Sequence, residues 1–361
     1  MDNLRSNAAA LQSILPAGCE LMPAVKADAY GHGAVPIARA LSGWGVRAFC
    51  VASAAEGAEL RRHGVAGTIL ILGYTHPQQF DLLPRYDLTQ TVVDLAYAEQ
   101  LRECKAPVQA HIAVDTGMHR LGAPHENAEE ILEICRMGHL NVTGIYTHFC
   151  ADETLQERDR AFTAQQAARF LRVVDRLRAC GYHPRAHMLG SYGLLHYPQF
   201  GGAYARTGIA LYGVLSTADD TRACPLVLRP VLSVKARVAS VRRLRRGEGV
   251  GYGLAYTAPT DTTLATLAIG YADGLPRALS CGAGSVLLHG RRAPIVGRIC
   301  MDQTMVDVGG IRGVRPGDTA VVIGTSGNET ISACDIAAQT DTIANEVFSR
   351  LGARLPRIAI A

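Results

Sequence analysis

Pro23-Ala24-Val25-Lys26-Ala27-Asp28-Ala29-Tyr30-Gly31-His32-Gly33 is an apolar run that ends in a lysine and breaks into a polar, glycine-containing loop. Leu21–Val25 reads as a short strand, and Val35–Ser42 beyond the loop has helical periodicity. The alternation continues outward. Strand-like runs follow at Ala48–Ala52, Thr68–Leu72, Gln90–Val92, Val108–Val114, Val142–Thr147, Arg185–Met188 and Ile209–Tyr212. Helical stretches lie between them at Ala54–His63, Leu95–Lys105, Glu126–Arg136 and Arg160–Cys180. Eight short strands over roughly 200 residues suggest a parallel (β/α)8 barrel. A doubly wound sheet gives a similar pattern, and periodicity leaves both open.

The pattern changes after residue 225. Segments rich in Val, Ile, Leu and Thr with Gly or Pro punctuation appear at Val231–Val241, Thr263–Ile269, Ser285–Leu288, Arg292–Ile299, Met305–Val308 and Thr319–Ile323. They predict an antiparallel β domain over 226–361, after a barrel over 1–225. Ala218–Asp219–Asp220 reads as a polar loop at the boundary. Ala333–Thr340 and Asp341–Ser349 read as helical, and Arg357–Ile360 as a last strand. Asn3 to Ile14 reads as a helix with no strand before it, which suggests a domain cut from a longer chain.

The 361 residues are 48% hydrophobic and 19% charged, a globular composition. Thirty-six basic and 32 acidic residues leave a net charge of +4, without the concentrated basic face that nucleic acid requires. Ten cysteines form no C-x-x-C pair, and no HExxH occurs, so neither a structural metal site nor a disulfide framework is expected. Scattered thiols suit a reducing compartment and hence a cytoplasmic domain. No apolar run approaches the ~18–20 residues of a membrane span.

A lysine at the C-terminal end of a barrel strand stands where such folds place their active sites. Burial there lowers its pKa and makes the amine nucleophilic, a candidate for a Schiff base with a carbonyl substrate or with pyridoxal phosphate. A lysine snorkelling at the barrel rim satisfies the same residues equally well.

Val25-Lys26-Ala27-Asp28-Ala29-Tyr30-Gly31-His32-Gly33 resembles the pyridoxal-phosphate lysine motif of the alanine racemase family. Six further segments match that family in order: Val114–Gly122, Tyr146–Phe149, Arg206–Gly213, Val250–Gly253, Ile269–Gly274 and Val296–Gln303. The resemblance implies a barrel followed by a β domain, a pyridoxal 5'-phosphate cofactor, and a homodimer with shared active sites. It implies that Lys26 carries the cofactor and moves one proton. Tyr252 matches the second base, supplied to the partner subunit, and His148 the histidine that hydrogen-bonds it. Arg206 matches the arginine facing the pyridine nitrogen. Tyr30, Ser191 and the N–H groups of Gly208 and Ile209 match the phosphate donors. Arg120, Met301 and Asp302 match groups around the substrate carboxylate, and Tyr271 a tyrosine of the substrate channel.

Four positions depart from the pattern. Asn345 stands where alanine racemases usually carry a tyrosine beside the phosphate and the substrate side chain. This resembles the VanT-type membrane-bound serine/alanine racemases of vancomycin-resistant bacteria, whose soluble racemase domain follows a membrane-spanning half. It implies turnover of both L-serine and L-alanine and a D-serine product for peptidoglycan precursors. Ala113 replaces a carbamylated lysine that props the arginine matched by Arg120. Gly190 replaces an asparagine, and Thr207 a proline. Competing readings are an ordinary alanine racemase, a decarboxylase of the same architecture, and a non-catalytic pyridoxal-phosphate carrier. No nucleic-acid partner and no membrane contact by this chain itself are expected.

Overall fold

The strand Ala48–Val51 is buried at all four of its residues. Burial on both faces is the signature of a parallel sheet covered outside by helices and filled inside by its own side chains. In the computed structural model, which describes residues 1–360, this segment is β2 of an eight-strand set. The others are β1 (Glu20–Leu21), β3 (Thr68–Ile71), β4 (Thr89–Val92), β5 (Val108–Asp115), β6 (Leu140–Tyr146), β7 (Arg185–His187) and β8 (Tyr204–Ala205). From β2 to β7 each strand pairs in parallel with the next.

Three pairings then close the circle. β1 runs parallel to β8. Ala24 bridges Cys50 beyond the end of β1, and Leu189 bridges Ala205 beyond the end of β7. A doubly wound sheet has two free edges; here there are none, so the first unit is a barrel. Met22, Ala24, Cys50, Leu70, Ala113, Tyr146 and Tyr204 pack together as a core cluster. Amphipathic helices cover the outside. Ala128–Arg136 buries Ile131, Leu132 and Ile134, and Asn127 caps it by accepting the Glu130 N–H at 3.2 Å.

The eighth strand differs from expectation. Ile209–Tyr212 is a 3-10 turn, and the strand lies earlier, at Tyr204–Ala205. Ladder bonds decide this: the Met22 N–H donates to Ala205 O at 2.9 Å and the Ala24 N–H to Thr207 O at 2.8 Å. Buried apolar side chains in a row satisfy a turn under the barrel rim as well as a strand.

The second unit comprises Tyr212–Cys224 and the chain from Arg229 onward. The expected polar loop at Ala218–Asp220 is instead part of a helix, Ala218–Ala223, because the Thr217 hydroxyl accepts the Asp220 N–H at 3.1 Å and caps it. Its main sheet path has six strands: β9 (Val234–Leu244), β10 (Thr262–Leu267), β11 (Ser285–Leu288), β12 (Arg291–Pro294), β13 (Thr304–Asp307) and β14 (Thr319–Ser326). They pair antiparallel in the order β12-β11-β14-β9-β10-β13. Ile295 bridges Val306 and brings the two edges together. Val234, Ala236 and Val238 are buried while Lys235, Arg237 and Ala239 face water, the alternation of a half-buried strand. The expected last strand, Arg357–Ile360, does not form; Ile358 and Ile360 are exposed, and the Arg357 guanidinium donates to the carbonyls of Leu351, Gly352 and Leu355. Among the described residues no helix is long and apolar enough to cross a membrane.

Candidate active site

Lys26 follows β1 at the C-terminal end of the barrel strands and opens an unusual turn. Ala27, Asp28, Ala29 and Tyr30 all have φ between 51° and 53°. Four successive non-glycine residues in left-handed geometry cost roughly 1–2 kcal/mol each. The surroundings hold them there. Glu56 accepts the Ala27 N–H at 2.8 Å with one oxygen and the Ala52 N–H at 2.6 Å with the other. The Asp28 carboxylate accepts the Ala34 N–H at 2.7 Å. Such over-determined strain is typical of functional positions. Its consequence here is that Lys26 and Tyr30 are placed by one rigid turn.

Burial, and then the positive charge of Arg120, pull the Lys26 amine below its ordinary pKa. An amine so shifted is more often neutral and nucleophilic at neutral pH. Arg120 itself is exposed and makes no hydrogen bond among the described residues. Its loop is pinned by Asp115, which accepts the N–H groups of Gly117 at 2.9 Å and His119 at 3.1 Å. Ala113 is buried in the barrel and offers Arg120 nothing polar.

Arg206 is a buried charge, with 6% of its surface exposed. Its Nη2 donates to Thr147 O at 2.7 Å, its Nη1 meets His187 Nδ1 at 2.6 Å, and its guanidinium carbon lies 4.8 Å from the Tyr146 ring centre. His187 Nε2 lies 3.0 Å from His111 Nδ1. His187, backed by His111, is the polar support of Arg206. Strand alternation carries the only signal in the sequence, since it turns both toward the barrel interior.

Ser191 opens the helix Ser191–His196, and its Oγ accepts the Gly208 N–H at 2.9 Å and the Ala210 N–H at 3.4 Å. A Cβ on Gly208 would stand 2.7 Å from the Tyr30 hydroxyl. The Tyr30 hydroxyl, the Ser191 hydroxyl and the Gly208 backbone therefore converge, with the buried Ile209 next in the chain. Burial pushes the Tyr30 phenol up to about 12, so it remains a donor. Neutral hydroxyls and backbone N–H groups suit a phosphate, and the adjoining lysine suits the aldehyde. The donor set thus fits pyridoxal phosphate.

His148 is exposed at the end of β6, and a Cβ on Gly190 would touch its ring at 3.6 Å. A few residues on, Asp152 is a buried carboxyl that sequence reasoning missed. It accepts the Gly193 N–H of the Ser191 helix, and its carbonyl accepts from the His196 ring at 2.8 Å. Burial pushes it up to about 7.

The remaining candidates belong to the second unit. Tyr252 is 69% exposed on a turn whose Gly251 and Gly253 pack against Met305 and Arg298. Tyr271 and Met301 are also exposed. Their loops are tied together: the Tyr271 N–H donates to Cys300 O and the Ala272 N–H to Met301 O, each at 3.0 Å. Any side chain on Gly270 would run into those two carbonyls. Arg354 donates to Asp302 at 2.9 Å and grips Asp273 through two nitrogens. Asn345 is the second residue of the helix Ala344–Ser349, and its Oδ1 accepts the Ser216 hydroxyl at 3.2 Å.

The family described as "Alanine racemase, N-terminal domain" matches residues 1–216, and "Alanine racemase, C-terminal domain" matches residues 231–359. An amino-acid racemase of Enterococcus faecalis is 42% identical over 356 residues, 98% of this chain and 50% of that protein. The chain therefore spans half the length of this relative. An alanine racemase of Carboxydothermus hydrogenoformans is 39% identical over 365 residues, which cover 98% of its length. Among solved structures, an alanine racemase of Bacillus anthracis with bound L-Ala-P superposes with a TM-score of 0.93 at 31% identity, covering all of this chain and 93% of that one.

Proposed function

This chain belongs to the alanine racemase family of pyridoxal-phosphate enzymes, and from that premise we propose that it racemises both L-serine and L-alanine. Bound pyridoxal phosphate supplies the electron sink that acidifies the substrate Cα–H. Lys26, with its depressed pKa, takes or returns the proton on one face. Tyr252 of the partner subunit serves the other face, assisted by His148, and its 69% exposure leaves it available to that subunit. Arg206 cannot readily give up a proton, so it holds the ring nitrogen without protonating it. That limits delocalisation into the ring and disfavours transamination. Tyr30, Ser191, Gly208 and Ile209 hold the phosphate. Arg120, Met301 and Asp302 surround the substrate carboxylate, with Arg120 as its cation, and Tyr271 lines the channel.

The observation that carries the serine reading is Asn345. A short amide leaves room for a β-hydroxyl and can hydrogen-bond it, where a tyrosine would fill the space. The Enterococcus relative named for amino acids generally supports a site wider than alanine. D-serine made this way would enter peptidoglycan precursors of lowered vancomycin affinity. The test compares kcat/KM for L-serine and L-alanine with the purified chain and added pyridoxal phosphate. Serine turnover within about tenfold of alanine, or above it, is expected. Alanine turnover alone would make this an ordinary alanine racemase, and carbon dioxide release would favour the decarboxylase reading.

A further inference from the structure

We propose that Ser216 is a specificity-positioning residue: it sets the orientation of the Asn345 amide so that Nδ2, a donor, is what the substrate side chain meets. The inference rests on the reading of Asn345 given above.

Ser216 is 4% exposed and lies in the segment Tyr212–Cys224, which packs within the second unit. It is bonded to the helix Ala344–Ser349 at two points. Its carbonyl accepts the Ala344 N–H at 2.9 Å, and its hydroxyl donates to Asn345 Oδ1 at 3.2 Å. The first bond fixes where the helix begins. The second decides which end of the amide is used up. An amide has one acceptor end and one donor end, and a hydroxyl proton selects the acceptor. With Oδ1 engaged, the two Nδ2 protons remain without a partner among the described residues. A donor complements a hydroxyl lone pair of serine and finds nothing on the methyl of alanine. A site organised to bond a hydroxyl discriminates far more than one that merely has room for it.

The experiment measures the ratio of serine to alanine kcat/KM in four variants, with melting midpoint and cofactor absorbance as checks on folding. Ser216→Ala is expected to lower the ratio about tenfold, chiefly through a higher KM for serine. Ser216→Thr, which keeps the hydroxyl, is expected to keep the ratio within about twofold. Asn345→Asp retains an acceptor for Ser216 but has no donor, so it is expected to lose the ratio as fully as Asn345→Ala does.

A Ser216→Ala ratio equal to the parent's, beside a lowered one in Asn345→Ala, would overturn the role of Ser216 while sparing that of Asn345. An Asn345→Asp enzyme that keeps its serine ratio would overturn the donor assignment, even if Ser216→Ala fails to fold. Unchanged ratios in both Asn345 variants would sink the reading on which the inference rests.

Discussion

Arg206 Nη1 lies 2.6 Å from His187 Nδ1, in the interior of the barrel. A guanidinium can only donate, so Nδ1 must be the bare nitrogen of His187. The proton therefore sits on Nε2 and points at His111 Nδ1, 3.0 Å away. One charged side chain fixes the tautomers of two neutral rings. Burial and then Arg206 hold His187 well below the usual imidazole range.

His187→Leu removes the acceptor from a buried cation. Destabilisation of about 1–3 kcal/mol is expected, read from urea unfolding. His187→Gln, which can still accept, is expected to lose less. Equal losses in both would show that ring packing, not the hydrogen bond, is what His187 provides.

Stability on the acid side should report the same pair. The pKa of His111 is depressed to about 3 in the folded chain, by burial first and then by Arg206. Unfolded, it is near 6.5. The unfolded chain therefore binds the extra proton first. The contribution is complete above about pH 6.5 and drains away as pH falls toward 3. A His111→Asn variant should show a shallower fall of melting midpoint between pH 6.5 and 4.

Asp152 slopes the other way. Its carboxyl is pushed up to about 7, so the folded chain holds a proton that the unfolded chain releases near 4. Its contribution is complete below about pH 4 and is lost as pH rises to 7. Asp152→Asn should gain stability relative to the parent at pH 8 and lose that advantage at pH 4. A difference that does not change with pH would contradict the shift.

Gly208→Ala places a methyl 2.7 Å from the Tyr30 hydroxyl. Either the turn or the tyrosine must move, at about 1–3 kcal/mol. A cofactor affinity at least about tenfold weaker is expected in a pyridoxal-phosphate fluorescence titration. Combining it with Tyr30→Phe should not restore affinity, because the hydroxyl is itself one of the proposed phosphate donors.

Lys26→Ala should abolish both the long-wavelength absorbance of the bound cofactor and racemisation, and a coloured, active variant would overturn the assignment. Tyr252→Phe should keep the absorbance and lose exchange in at least one direction, followed as solvent deuterium entering each enantiomer.

The alternation of strands and helices to residue 215 and the β-rich chain after 225 were legible in the sequence, because side-chain periodicity is a local property. Lys26 stood out as a lysine at a strand end, and the family resemblance singled out Arg206, Ser191 and Gly208 as candidates. The barrel closure, the placement of the last barrel strand at Tyr204–Ala205 and the capped helix after Thr217 were not legible, because each depends on which partner a backbone N–H finds. The same holds at the site. Glu56 locks the left-handed turn from 29 residues away, His187 supports Arg206, and Ser216 reaches Asn345 across 129 positions. The sequence alone determined which residue types the chemistry could use. Tertiary structure decided their protonation, tautomer and amide orientation, since these are set by burial and by hydrogen-bond partners that no local pattern records.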